Sequence, residues 1–497
     1  MWGASILPIA ALATLQCVNA ITLHRRDEPA VLGLPISRHQ GPQLQKRASK
    51  VASTSLYNEQ NMYYMVNITI GTPPQNLSLS LDTGSSDIWV NIPSSSYCST
   101  DDDVCSSTGL FNSKDSSTFK KLDIEMNATY VSGTLAVGPY ATDQLVIGGA
   151  TVKDMEFALA ETSANPHGIL GISYSSATYA AANLDKEYDG LADALVKSGA
   201  IKSAAYSLWL NKLDGTGNLL FGGVNKAHYQ GELQTVPIVP EYGQYRSLTI
   251  ALSDISLTTD AGTKSYTTGL PLAVTLDNGS ASIALPQELV EPIYKALGAG
   301  FSTEDNAGYI PCDMATSDHN LTFSFSGATV TIPLRELVFE NYITPHTPKG
   351  DCLFGLGYSE AGVNLMGDPF LRGAYVVYDL ANNEISLADA KYDGVDDEIL
   401  EIGTGSGSVP GATLMPSAVT SATGNGANLA TATAVPKGTS GSGSGSGSES
   451  GSGVTTEAAT AGGASSTSTS KGMAALATGH PAHLLPGLLG AGLLLAL

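Results

Sequence analysis

Two short stretches constrain this chain more than anything else in it: Leu79-Ser80-Leu81-Asp82-Thr83-Gly84-Ser85-Ser86 and Val274-Thr275-Leu276-Asp277-Asn278-Gly279-Ser280. Each leaves an apolar, strand-like run at an Asp that is followed by a polar residue, a Gly and a Ser. Glycine lets the backbone turn sharply, so Gly84 and Gly279 would leave each carboxylate at the tip of a buried strand. One Asp-x-Gly is a common turn. Two of them, 195 residues apart, point to one half-site used twice. A second pair of motifs supports this: Gly168-Ile169-Leu170-Gly171 follows the first Asp, and Asn364-Leu365-Met366-Gly367 follows the second. The closing glycines stand 89 and 90 residues behind their Asp, as two lobes of similar plan require.

Between and around these motifs the pattern is mostly β. Val66, Ile68 and Ile70 alternate with polar residues, Gly71-Thr72-Pro73-Pro74 breaks the run, and Leu77, Leu79 and Leu81 resume it. Similar runs recur at 245–257, 322–332 and 374–387, and only 190–197 and 287–297 read as helices. The expectation is a bilobal, mostly β chain with lobes at 48–235 and 236–396 and a cleft between them.

Asp82-Thr83-Gly84-Ser85-Ser86 with Trp89 just beyond, Gly168-Ile169-Leu170-Gly171, and Gly367-Asp368-Pro369-Phe370-Leu371-Arg372 resemble the pepsin-like aspartic proteases, in their fungal yapsin- and candidapepsin-like branch. The resemblance covers roughly residues 58–392. It implies an endopeptidase in which Asp82 and Asp277 share one proton and activate a water against a peptide bond. Two carboxyls so close cannot both ionise readily, which provides a base and an acid together; the aspartic-protease dyad is itself the standard example of that arrangement.

The resemblance also implies supporting roles. Ser85 and Ser280 would each donate to the outer oxygen of their Asp, and Thr83 would tie the two loops together. Asn278 stands where the family has Thr or Ser; an amide can both donate and accept there. That departure motivates a second reading, a catalytically weakened binding protein of the cell surface. Tyr130-Val131-Ser132-Gly133-Thr134 resembles the flap over the cleft, with Tyr130 leaning over the carboxyls and Trp89 donating to it. His167 replaces the Asp usual before Gly168 and reads as structural. Asp101-Asp102-Asp103 could attract basic substrate side chains or be an ordinary acidic loop.

Outside the lobes, residues 1–20 read as a secretory signal with an apolar stretch from Ile6 to Leu15. Residues 21–47 read as a basic propeptide ending at the dibasic Lys46-Arg47, which the resemblance would lay over the cleft. Residues 397–471 become rich in Gly, Ser, Thr and Ala, too poor in apolar surface to order themselves, and read as a disordered stalk. Residues 472–497, closing on the apolar run from Leu484, read as a signal for attachment of a GPI lipid anchor.

Of five cysteines, Cys98, Cys105, Cys312 and Cys352 lie beyond the leader, and three pairings are open to them. The resemblance implies Cys98–Cys105 and Cys312–Cys352. Asn67, Asn76, Asn127 and Asn320 open N-glycosylation sequons. Asn278 formally opens one too, but would be buried in the site. The net charge is −22, and residues beyond 47 carry −25 of charge. This argues against nucleic acid or an anionic membrane surface as partner and suits work at acidic pH. Polypeptide substrates, a monomer, and neither metal nor cofactor are expected. H-E-x-x-H and G-x-S-x-G signals of other hydrolases are absent from the sequence.

Overall fold

The computed structural model describes residues 30–40, 62–99, 104–130, 134–212, 215–340, 344, 346–360, 362–392, 396–425 and 494–495. The alternating runs become strands, and their order explains the paired spacings. Strand Gln75–Asp82 lies parallel to Ile169–Gly171, with Asp82 opposite Gly171. Strand Leu272–Leu276 lies parallel to Leu365–Met366 in the same way. Each second strand is also flanked antiparallel on its other side, by Ile88–Trp89 in one half and Ile283–Ala284 in the other. The two halves are therefore folded to one plan, with a mostly β architecture of two lobes as expected.

The closing glycines are required by close approach. A Cβ on Gly171 would come within 2.7 Å of the Ser86 backbone, and one on Gly367 within 2.4 Å of the Ser280 carbonyl oxygen. Each glycine thus lets the chain pass hard against the turn that follows its Asp.

The lobes are not separated at residue 235, which falls inside strand Tyr229–Pro237. That strand, Glu384–Ala390, Ala374–Asp379, Ala205–Trp209 and Thr216–Phe221 are neighbours in one sheet, so both halves contribute to a common base. The sheet continues through Leu32–Gln40, Met62–Ile70 and Gln75–Asp82. One apolar core runs through both halves, from Leu34 and Val66 to Phe323 and Ile385. Amphipathic helices at Leu191–Ser198 and Gln287–Leu297 pack on its flanks, each ended by a left-handed Gly.

Two expectations need correction. The described part of the stretch read as a propeptide, residues 30–40, does not lie over the cleft. It is a strand between Thr216–Phe221 and Met62–Ile70, with Val31, Leu32, Leu34 and Ile36 buried. The stalk does not begin at 397. Residues 399–401 pair with Gly223–Asn225, residues 412–414 run parallel to Leu233–Thr235, and Ile402, Val409 and Ala422 are buried. This segment is poor in apolar residues, yet its few are placed against lobe surfaces that already exist. The stretch read as a signal, residues 1–20, and Lys46-Arg47, Asp101–Asp103 and residues 426–493 lie outside the described residues.

The disulfides are Cys98–Cys105 and Cys312–Cys352, as the resemblance implied. Among the sequons, Asn67, Asn76 and Asn127 are exposed, Asn320 is half-buried, and Asn278 is buried.

Candidate active site

The two parallel strand pairs bring Asp82 and Asp277 together. Both side chains are fully buried and within hydrogen-bonding reach of each other. The Gly84 N–H donates to Asp82 Oδ1 at 2.9 Å, and the Gly279 N–H donates to Asp277 Oδ1 at 2.8 Å. The turn glycines thus hold the inner geometry of both carboxyls alike. The outer oxygens differ. Ser85 Oγ donates to Asp82 Oδ2 at 2.5 Å, whereas Ser280 Oγ donates to the Ser282 carbonyl at 3.2 Å. The expected role of Ser280 is therefore not what the structure has: the hydroxyl is captured by its own turn. Among the described residues no protein N–H or O–H reaches Asp277 Oδ2.

That asymmetry governs the charges. Burial pushes the Asp82 carboxyl up to about 6, against the pull of Ser85 and Gly84. Burial raises Asp277 well above the carboxylate range, and the neighbouring Asp82 charge raises it further. The pair therefore carries a single negative charge once Asp82 ionises, with the proton residing on the less supported acid, Asp277.

Thr83 and Asn278 lock the loops together. Asn278 Oδ1 accepts the Thr83 N–H at 2.8 Å, and Asn278 Nδ2 donates to the Leu81 carbonyl at 3.0 Å. In return Thr83 Oγ1 accepts the Asn278 N–H at 2.9 Å and donates to the Leu276 carbonyl at 3.0 Å. All four bonds cross between the halves, and the amide fills every place a hydroxyl would.

The hairpin Lys120–Tyr130 and Leu135–Ile147 carries Tyr130 to the site. Its hydroxyl accepts the Trp89 Nε1–H at 2.8 Å and lies against Ser85. Trp89, Tyr130, Ser85 and Asp82 thus form one connected series. The Tyr130 N–H donates to the Thr134 carbonyl at 2.8 Å, closing the hairpin. The tip, Val131 to Gly133, lies outside the described residues. His167 is buried edge-on against Tyr63, with ring centres 4.2 Å apart, a packing role.

Sequence reasoning missed Asp87. It is fully buried, accepts from the hydroxyls of Tyr140 and Tyr188, both at 2.7 Å, and from the Tyr179 N–H at 2.6 Å. Its signal was an acid directly ahead of the apolar run Ile88-Trp89-Val90. Its charge, with that of Asp82, discourages ionisation of the Tyr130 phenol, whose burial is the larger cause.

A sequence profile described as eukaryotic aspartyl protease matches residues 63–390. A probable aspartic-type endopeptidase, opsB, of Aspergillus oryzae is 43% identical over 85% of this chain and 89% of its own length. Aspartic proteinase yapsin-3 of Saccharomyces cerevisiae is 35% identical over 80% of each chain. Secreted aspartic protease 5 of Candida albicans is 34% identical over 69% of this chain and 80% of its own. Together with paired carboxyls borne on two matched half-sites, these likenesses make the chain a member of the eukaryotic aspartyl protease family, in its fungal pepsin-like branch, and an aspartic-type endopeptidase.

Proposed function

We propose that this endopeptidase hydrolyses peptide bonds through a water held between Asp82 and Asp277, and that it does so at acidic pH. The observation that carries the proposal is the contact of two buried carboxyls of unequal support. The ionised acid removes a proton from the water as its oxygen attacks the scissile carbonyl carbon. The protonated acid gives its hydrogen bond to the carbonyl oxygen, where charge develops. The resulting tetrahedral diol collapses by breaking the C–N bond, with a proton passing to the leaving nitrogen. Free carboxyl and amine products leave the pair with one shared proton again.

Tyr130 would cover the bound peptide from the flap, held by Trp89. Residues 1–20 and 472–497 support a secreted protein anchored at the cell surface through a GPI lipid, and the pair Lys46-Arg47 supports release of a propeptide. The acidic body is consistent with that setting.

The test is digestion of a peptide library at several pH values, with and without a statine-type inhibitor. Cleavage at acidic pH, inhibitor block, and loss of about a thousandfold or more in Asp82→Asn and in Asp277→Asn are expected. Undiminished cleavage by either variant would sink the assignment.

A further inference from the structure

The strands bearing the two acids are supported along one edge, and the support is supplied differently in each half. In the first half the Ser80 N–H, two residues before Asp82, donates to the Gly168 carbonyl at 2.9 Å. The Ser78 N–H, four residues before it, donates to the Thr108 carbonyl at 2.8 Å. In the second half the Thr275 N–H, two residues before Asp277, donates to the Asn364 carbonyl at 3.0 Å. The Ala273 N–H, four before it, donates to the Thr423 carbonyl at 2.7 Å. The equivalent of the Thr108 loop is thus a piece of chain beyond the lobes, from the stretch whose composition reads as stalk.

The end of that piece reaches further. Asn425 is 6% exposed, and its amide pairs with Asn364 as a strand backbone would. Its Oδ1 accepts the Asn364 N–H at 2.8 Å and its Nδ2 donates to the Asn364 carbonyl at 2.8 Å. This double pairing allows only one orientation of the amide. Nδ2 then also donates to Thr275 Oγ1 at 3.1 Å. Thr275 Oγ1 is 2.8 Å from Thr249 Oγ1, which is 3.3 Å from Glu241 Oε1. A chain of buried polar groups therefore runs from Asn425 through the strand of Asp277 to a buried carboxyl.

We propose that residues 396–425 are part of the active-site scaffold and that Asn425 is a positioning residue, joining Leu365–Met366 to Thr423 so that the strand ending at Asp277 has a continuous edge. The inference rests on Asp277 acting in hydrolysis. Leu365–Met366 covers only Thr275 and Leu276, and Thr423 stands beside Leu272. Asn425 bridges the gap between them. Without it the Asn364 N–H loses its partner, the Asn364 carbonyl keeps only the Thr275 N–H, and the Asp277 strand loses a tie two residues from the acid. Small errors of placement at a reacting group cost much in rate.

The test uses the full chain with Asn425→Ala and Asn425→Asp, measuring kcat, KM, melting temperature and the pH profile of peptide cleavage. Asn425→Ala is expected to lower kcat about tenfold or more with KM within about twofold of wild type. Asn425→Asp can donate only when protonated. It should therefore approach wild-type kcat at acidic pH and fall away as pH rises more steeply than wild type. Glu241, its neighbour Arg246 and Asp277 are present in both proteins, so their own titration is common to the comparison. Folded variants with wild-type kcat and pH profile overturn the inference. So does failure of both to fold, which would make Asn425 a requirement of the fold instead. Wild-type chain that does not cleave peptide at all would overturn the proposed function, a separate result.

Discussion

Asn278 and Thr83 exchange two hydrogen bonds across the two halves of the molecule, each accepting the other's backbone N–H, at 2.8 and 2.9 Å. The substitution that looked like a departure at the sequence level is a working replacement. Asn278→Thr is therefore expected to keep kcat/KM within a few-fold of wild type. Asn278→Ala leaves the Thr83 N–H and Leu81 carbonyl buried and unpaired, a loss of about 2–4 kcal/mol in stability. Denaturant unfolding of the two variants beside their kinetics checks both outcomes.

Ser85 and Ser280 occupy equivalent places but hold different partners. Removing the Ser85 hydroxyl takes away a bond that favours ionised Asp82, so its pKa rises above its present value of about 6. The acidic limb of kcat/KM in Ser85→Ala should accordingly move to higher pH. Ser280→Ala removes a donor to a carbonyl and should leave that limb in place. A shift in both, or in neither, contradicts the asymmetry.

Stability should fall as pH rises from about 4 to 6. Burial is the leading cause of raised carboxyls at Asp82, Asp277, Asp87, Asp379 and Glu241. Over that range the folded chain keeps protons that the unfolded chain has released, so the slope of unfolding free energy with pH is negative. Asp305 is shifted the other way, lowered by Tyr309, His346 and Thr344 against its own burial. Its contribution is present above about pH 4 and is lost as pH falls further. Calorimetry should find a higher melting temperature near pH 4 than near pH 7, with a smaller difference in Asp82→Asn.

In protein made through a secretory route, peptide mapping should find glycans on Asn67, Asn76 and Asn127, whose side chains are exposed. Asn278 should be unmodified in all active molecules, because its amide lies within the lock between the halves. A glycan at Asn278 in active enzyme would contradict the structure.

Much of the site was legible because its chemistry is local. Asp82 and Asp277 announce themselves through the turn glycines that hold them, and the equal spacing to Gly171 and Gly367 reflects the parallel strand that each half needs. The pairing of Cys312 with Cys352 came from resemblance, since spacing left three choices. What stayed hidden depends on partners far away in sequence. Ser280 reads like Ser85, and only its turn shows that Ser282 takes its hydroxyl. Residues 396–425 look like stalk because composition measures a segment's own apolar surface, whereas Ala422 and Ile402 are buried in surface supplied by others. Asp87 stands just ahead of Ile88–Asn91 among turn residues, and its three donors come from Tyr140, Tyr179 and Tyr188, far along the chain.

The common base sheet joins Ala205–Trp209 of one half to Ala374–Asp379 of the other, and Thr216–Phe221 to Leu32–Gln40. These are partners separated by well over a hundred positions, the kind of pairing that forms late and slowly in folding. Neither half owns a complete foundation. A nascent chain released before its last base strands are synthesised should accordingly be an unfinished, aggregation-exposed species rather than a half-sized enzyme.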